Sequence, residues 1–539
     1  MRSQRIQQER TEGNLATPTI AAGSRFTLKL LSGVFALAFL WILFSQFVVP
    51  PIIKSAYRGE SLAFLNGFIS GQGVHPVEHY LMAWKTISWR ILGMLIVIWL
   101  ITLPLVLTGS GVQRYLEGAY GQAVTLRALR TNTILAFTGL ALVFYLYYLQ
   151  PVGYVYFIAE DYWAEYATFV SWGMACWFLT WMLFNYPDLR KPGFILLALA
   201  SFLVAMEEIS WGQRILSVPL PSLFAQYNLQ GETTIHNLVY ISGKHYVFAG
   251  ITTFLWSIPF SFISSRKGGW LHGSCTKLGI PIVPIHLWPF FLLASFSLIY
   301  APFLGTGEVG ELFLALAFAV LSLDLFITVR RATGVRGSRT TVATAGMILV
   351  ALTAFLVQVS SSTEMLRDKL NRFALVHFPS RHMYGNAEMV IDYMNEHPQF
   401  LTPETHIRHG MLLVEMGEHA KARRILEIAL AEQKKYQEER PGDSWPYRNA
   451  GQVLKMLGRP EEAEAEFLRA LERDRSQLEQ AVDAKVEARV RWSLAETLFA
   501  SGDSVAALEQ ALVARAIADG RTQLLIDKWI QGIEALAAR

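Results

Sequence analysis

Long apolar stretches are the feature of this sequence that most restricts its fold. A helix that crosses a bilayer needs about 20 mostly apolar residues, and nine stretches of roughly that length occur before Ser360. The chain is 53% hydrophobic and only 17% charged, which indicates that lipid is part of its solvent. The approximate cores of the predicted spans are Phe26–Val49, Ile91–Leu107, Thr133–Gln150, Tyr166–Phe184, Phe194–Met206, Val239–Ile263, Ile282–Phe303, Leu312–Val329 and Val342–Val359. We therefore expect an all-α fold whose first part is a polytopic transmembrane helix bundle.

Basic residues predict the direction in which these spans cross. Lysine and arginine cluster before the first span and again after the second, fourth, sixth and eighth spans. By the positive-inside rule, these segments face the cytoplasm. Because the number of spans is odd, everything after Val359 is expected on the other side, in the periplasm or outside the cell. The pattern predicts a protein of a bacterial inner (plasma) membrane with a cytoplasmic amino terminus.

Charge and cysteine content argue against a nucleic-acid-binding protein and against a fold held by disulfides. A net charge of +4 is small for 539 residues, so no nucleic-acid partner is predicted. Cys176 and Cys275 are the two cysteines, and neither suggests a disulfide framework. The predicted organisation is a basic cytoplasmic tail (1–25), a transmembrane domain (26–359), a linker with helices (360–404) and a helical-repeat domain (405–539).

The last third of the chain contains an internal repeat of small and apolar residues. From Ser360 onward the sequence is rich in Ala, Glu, Arg and Leu with helical periodicity and contains no further predicted span. Three repeats align by their spacing: Gly410, Leu413, Gly417, Ala422, Leu426 and Ala429; Gly451, Leu454, Gly458, Ala463, Phe467 and Ala470; and, more weakly, Ala495, Leu498, Gly502, Ala507, Ala511 and Ala514.

This pattern resembles the tetratricopeptide repeat, in which small residues let two helices pack closely and a glycine ends the first helix. The resemblance covers roughly Thr405 to Arg515, with wider spacing than the usual period of about 34 residues. It implies a soluble α-solenoid with a concave surface for a protein partner, or a cap on the membrane domain.

Acidic residues occur at the predicted outer ends of four spans, whereas the cytoplasmic ends carry chiefly arginine and lysine. Ionisable groups near the membrane interior are costly, so this asymmetry suggests a site. Two pairs, Asp161 with Glu165 and Glu232 with His236, are four residues apart, which places both members of a pair on one helix face. Carboxylates with one imidazole suit a divalent metal ion of unknown identity. The predicted metal ligands are Asp161, Glu165, Glu208, Glu232 and His236; Glu308 and Glu311 form the fourth acidic group.

The segment from Glu207 to Arg214 is the most motif-like part of the chain, and we expect its helix to continue past Glu208 through Trp211. Together with Asn228, Glu232, His236 and Asn237, it resembles an uncharacterised class of bacterial polytopic membrane proteins, a resemblance that implies no reaction. Glu160 or Glu207 is the predicted general base, and Arg214 is predicted to hold a substrate anion. Trp211 is interpreted as an interfacial anchor. His75 and His79 of the first outer loop are expected to serve in loop packing or substrate contact.

Several functions agree with these features. The first is metal-assisted hydrolysis or group transfer on a lipid or lipid-linked glycan at the outer leaflet. A polyprenyl-linked glycosyltransferase is a variant, because multi-pass transferases with carboxy-terminal tetratricopeptide repeats have this architecture; the expected acidic pair after the first span is here Arg58-Gly59-Glu60. The alternative is a non-catalytic envelope scaffold whose repeats recruit a partner and whose spans contact membrane lipids. A transporter is the last possibility, since no inverted repeat is evident.

Overall fold

The fold is described from a computed structural model, which describes residues 126–213, 244–265, 269–304, 306–332, 338–360, 362–381 and 383–537. Within these ranges the secondary structure is helical, with no strand. The helices of the first part are α1 (Leu126–Leu149), α2 (Pro151–Ile158), α3 (Trp163–Asn185), α4 (Pro192–Glu208), α5 (Lys244–Leu255), α6 (Trp270–Leu278), α7 (Trp288–Leu304), α8 (Glu308–Ala332) and α9 (Ser338–Ser360). Helix α5 continues through a π-helical turn, Trp256–Phe260, to Ser264.

Five of the predicted spans correspond to described helices that are long and apolar enough to cross a membrane: Thr131–Leu149, Trp163–Asn185, His245–Ser264, Glu308–Arg331 and Thr341–Val359. Two other predicted spans, 194–206 and 282–303, fall on α4 and α7, which have only 17 residues each. The first two predicted spans, 26–49 and 91–107, lie outside the described residues. The described part of the chain thus offers five candidate spans.

The chain divides into two compact units. The described part of the first unit comprises residues 126–142, 175–199 and 244–332 without its short gaps. In this unit α7 and α8 form an antiparallel pair, because Leu298 lies against Gly310 and Phe291 contacts Phe318. Trp256 stacks on Phe318 with 5.5 Å between ring centroids, so α5 packs on the same pair.

The described part of the second unit comprises residues 143–174, 200–213 and 338–537 without its short gaps. It contains α2 and α9, the carboxyl ends of α1 and α4, the amino end of α3, and every helix after α9. Those later helices are α10 (Thr363–Arg372), α11 (Tyr384–Glu396), α12 (Thr405–Glu415), α13 (His419–Glu439), α14 (Trp445–Met456), α15 (Pro460–Glu479), α16 (Ala484–Ser501), α17 (Ser504–Ile517) and α18 (Gly520–Ala537).

Aromatic side chains join α1 and α2 to the segment that follows α10. The buried Tyr147 hydroxyl lies 3.0 Å from His377 Nε2, and the hydroxyls of Tyr156 and Tyr393 lie 2.6 Å apart. The Asn386 amide also donates to the Tyr147 carbonyl, at 3.0 Å. Buried polar groups need partners, and these pairs supply them across segments distant in sequence. They fix the first helices after α9 against the ends of α1 and α2.

Candidate functional site

Three of the predicted site residues lie at the start of α3: Glu160 and Asp161 in the turn before it, and Glu165 in its first helical turn. Asp161 is buried and has a φ of 62°, so it lies in the turn and not on α3. Its backbone N–H donates to Glu165 Oε2 at 2.6 Å, and Tyr166 donates to Asp161 Oδ1 at 3.2 Å. The expectation that Asp161 and Glu165 share one helix face was therefore wrong, because the helix begins at Trp163. The two side chains nonetheless meet, through a contact that shapes the turn.

A second group of predicted residues lies where α4 ends. The helix stops at Glu208, and the expectation that it continues through Trp211 was wrong. Ser210, Trp211 and Gly212 all have positive φ, which no α-helix accommodates. The Trp211 indole N–H donates to Glu207 Oε1 at 2.6 Å, so this tryptophan orients one of the two acids.

The two groups lie at helix ends that share one apolar cluster. Tyr166, directly after Glu165, is buried with Val170 and Leu356. Ile209, directly after Glu208, packs against the same cluster. We call Glu160, Asp161, Glu165, Glu207 and Glu208 the acidic helix ends. The structure thus places the amino end of α3 and the carboxyl end of α4 at one apolar cluster.

Three predicted site residues, Arg214, Glu232 and His236, lie outside the described residues, as do His75 and His79. Within the described ranges, no three side chains of His, Cys, Asp or Glu are grouped closely enough to hold a metal ion. The proposed ligand set includes two of the residues outside those ranges, so it stays a prediction. Glu308 and Glu311 lie in the first turn of α8, in the first compact unit.

Lys369 was not anticipated at the acidic helix ends. Its Nζ lies 4.0 Å from Glu160 Oε1, and its side chain is largely buried. A buried lysine is costly without a nearby acid, so the two groups stabilise each other. The sequence offered little signal, because Lys369 is on α10 in a polar segment more than 200 residues from Glu160. Glu160, the predicted general base, therefore has a cationic neighbour.

The repeats have the geometry that the small residues predicted. A Cβ added to Gly410 would lie 2.5 Å from Leu426 Cδ2, and one added to Gly451 would lie 2.7 Å from Phe467 Cε1. Gly417, Gly458 and Gly502 have φ values of 77°, 75° and 110° and end the first helix of each pair. The predicted helix pairs are therefore α12–α13, α14–α15 and α16–α17.

A groove lies on the inner side of these pairs. Its volume is about 460 Å³, and its apolar lining comes from Leu375, Pro379, Ile407, Met411, Leu412, Phe499 and Trp529. Its charged lining comes from Glu404, Arg408, Glu415, Arg448 and Glu496. Asn449 and Gln452 complete the lining, so half of the lining residues are polar or charged, and a cleft of this size is large enough to hold a ligand. The cavity lined by these residues is called the groove below.

Ion pairs order the floor of the groove. Arg448 Nη2 lies 3.0 Å from Glu496 Oε2, and Arg448 Nη1 donates to the Ser493 carbonyl at 3.2 Å. Burial raises the pKa of Glu496, although the Arg448 charge opposes that rise. Arg408 donates to Glu404 Oε2 at 2.7 Å nearer the surface. Arg448 is therefore held in one orientation, with its partner half-buried beside it.

Comparison with known protein families identifies repeats in the carboxyl-terminal region that contains the groove. Residues 401–476 match a tetratricopeptide repeat family model, and residues 488–512 match a second tetratricopeptide repeat model. The carboxyl-terminal region thus contains tetratricopeptide repeats, as the spacing indicated. No match was found among curated proteins or solved structures, and the suggested bacterial membrane class gains no support.

Proposed function

We propose that this chain is a membrane-anchored scaffold that binds a protein partner in its groove. Tetratricopeptide repeats generally mediate protein–protein interaction, and the two family matches include the parts of α12, α14 and α16 that supply most of the groove lining. The five apolar helices support a membrane anchor. The distribution of basic residues in the sequence is the basis for proposing a bacterial inner membrane with the repeats in the periplasm or outside the cell. The groove is the observation that carries this proposal.

The groove offers apolar contacts beside a fixed charge pair. Met411 is 48% exposed and, with Phe499 and Trp529, presents a surface that a partner's apolar side chains would cover. Arg448 is already neutralised by Glu496, so binding depends on its orientation more than on net charge. A partner segment therefore buries apolar groups in the groove and exchanges hydrogen bonds with its floor.

Site-specific photocrosslinking tests this proposal in cells. A photoreactive amino acid at Met411 should give a defined protein adduct that Arg448→Ala weakens. The matched control is Ile428, which is 46% exposed on α13 and does not line the groove. Adducts of equal yield from both positions, or none from Met411, would contradict a groove-bound partner.

A second candidate function is metal-assisted hydrolysis or group transfer on a lipid or lipid-linked glycan, with a glycosyltransferase as its variant. It is supported by the meeting of the ends of α3 and α4 at one apolar cluster, which brings Glu165 and Glu208 to the same part of the unit. A divalent ion held by these acids with Glu232 and His236 would polarise a substrate oxygen. Metal analysis of the purified full-length chain tests this candidate, with Glu208→Ala and His236→Ala as variants. No bound divalent metal in the unmodified chain, or the same metal content in both variants as in the unmodified chain, removes it.

A further inference from the structure

Aromatic rings surround the carboxyl ends of α3 and α8 in the first compact unit. Trp181 lies 4.9 Å from Phe326 and 5.8 Å from Tyr186 between ring centroids. The Arg330 guanidinium lies over the Phe326 ring, 5.5 Å from its centroid. Trp177, one turn earlier on α3, is 58% exposed. Tryptophan and tyrosine at the ends of apolar helices are typical of a membrane–water interface, with the basic group in the headgroup layer.

Helix α6 lies at the amino end of α4, in the same unit. Lys191 Nζ donates to the Thr276 carbonyl at 2.8 Å, and a Cβ on Gly193 would lie only 2.6 Å from the Gly279 carbonyl oxygen. The two segments therefore touch backbone to backbone. Lys191 also supplies a cation at the carboxyl end of α6, where the helix leaves carbonyls without helical partners.

Helix α6 turns an apolar edge outward. Trp270 is 81% exposed and Leu278 is 46% exposed, whereas Cys275 is buried against the unit. A short helix with one buried side, exposed apolar residues and a basic end is suited to lie in the plane of an interface.

The cations beside α6 are not neutralised by the described part of the chain. Arg190 donates from Nε and Nη2 to the carbonyls of Leu183 and Phe184, at 3.0 and 3.2 Å. Lys277 is exposed, and within the described ranges no carboxylate pairs with it or with Arg190. Asp188 is the acid of the same turn, so this surface keeps a net positive charge.

We propose that Arg190, Lys191 and Lys277, which we call the basic edge, bind the headgroup of an anionic phospholipid. The headgroup phosphate contacts Lys277 and Arg190, while Trp270 and Leu278 enter the boundary between headgroups and acyl chains. Lys277 and the exposed indole of Trp270 lie on one short helix, and Arg190 and Lys191 lie beside it before α4. Cations next to an exposed apolar side chain match the headgroup and acyl layers of a bilayer surface. This inference rests on the proposed membrane location and goes beyond it, because it assigns a lipid class to a defined site.

Native mass spectrometry of the full-length chain tests the basic edge. Micelles containing equal amounts of phosphatidylglycerol and phosphatidylcholine supply the two probes, and the ratio of bound lipids is measured. We expect the chain to retain phosphatidylglycerol preferentially and Lys277→Gln to lower that ratio about fivefold. Lys455→Gln, an exposed lysine at the end of α14, is the matched control and should leave the ratio unchanged. Raised ionic strength should also weaken the preference.

Other outcomes separate this inference from the proposed location. Trp270→Ala should lower the retention of both lipids, because it removes the apolar contact and no charge. Equal retention of the two lipids by the unmodified chain, or equal ratios for Lys277→Gln and Lys455→Gln, would overturn the inference. If the chain is absent from the membrane fraction of cells, the location itself fails; if it is present and shows no headgroup preference, only the basic edge fails.

Discussion

At the scale of single residues, His377 links protonation to stability. Its side chain is buried beside Tyr147, and burial lowers its pKa to about 2, with Arg381 and Arg372 adding to the effect. In the unfolded chain its pKa is about 6.5, so below that pH the unfolded state binds a proton that the folded state does not. His377 therefore does not reduce the free energy of unfolding well above pH 6.5, and it reduces that free energy increasingly as the pH is lowered below this value. The loss between pH 7 and pH 5 is about 2 kcal/mol for this group.

Thermal unfolding of the full-length chain at pH 7 and pH 5 measures this effect. We expect His377→Gln to reduce the difference in melting temperature between the two pH values. His419→Gln is the control, because His419 is exposed on the surface of α13. His409, whose pKa burial lowers to about 4, acts in the same direction and keeps part of the difference in every variant. Equal pH dependence in the His377 variant and the control would contradict the argument.

At the scale of helices, the packing of each repeat depends on a glycine. An added methyl group at Gly410 or Gly451 meets Leu426 or Phe467 at less than van der Waals distance, so the helix pair must move apart. We expect Gly410→Ala and Gly451→Ala each to cost about 1–3 kcal/mol. Gly385→Ala on α11 is the control, since its Cβ would meet nothing within 4 Å. Circular dichroism during thermal unfolding compares them; an equal effect of all three substitutions would show that close packing is not the cause.

The same helices show what a sequence can predict. The repeat positions were predictable because helix period and glycine spacing are local properties, and Gly410, Leu426 and Ala429 lie where their spacing requires. Asp161 was misplaced because its positive φ depends on the Glu165 carboxylate that accepts its N–H. Lys369 could not be predicted beside Glu160, since only the tertiary fold brings α10 to that turn.

At the scale of the whole chain, the proposed orientation predicts the location of the repeats. The carboxyl ends of α1 and α4, the amino end of α3 and the whole of α9 belong to the compact unit that contains the repeats. If α9 crosses the membrane, the repeats that follow its carboxyl end lie on the side opposite the basic loops. A reporter that is active only after export should therefore be active when fused after Val359. Activity of a cytoplasmic reporter at that position would overturn the orientation and with it the outer location of the acidic helix ends.

The repeat region is also expected to fold when separated from the apolar helices. Its buried clusters are internal: one joins Ile407, Leu426 and Phe467, and another joins Ala495, Ala511 and Ile526. A fragment from Ser380 to Arg539 should therefore be helical by circular dichroism. A fragment from Thr402 should be more soluble, because it omits α11, whose Val390 and Ile391 are buried and whose neighbours include α2. A random-coil spectrum for both would rule out independent folding.

The short connection between α9 and α10 has a consequence for the orientation of a protein bound in the groove. Helix α9 ends at Ser360 and α10 begins at Thr363, and Tyr147 and Tyr156 then hold the next segments through His377 and Tyr393. A tether of this kind leaves little slack, unlike a flexible linker whose end-to-end distance grows with its length. If α9 crosses the membrane as proposed, a protein bound in the groove would be held at a fixed distance from the bilayer and in a fixed orientation. Copies of the chain in one bilayer would then hold their grooves in a two-dimensional array. A ligand with two docking segments could bind two neighbouring copies and gain avidity without any new type of contact.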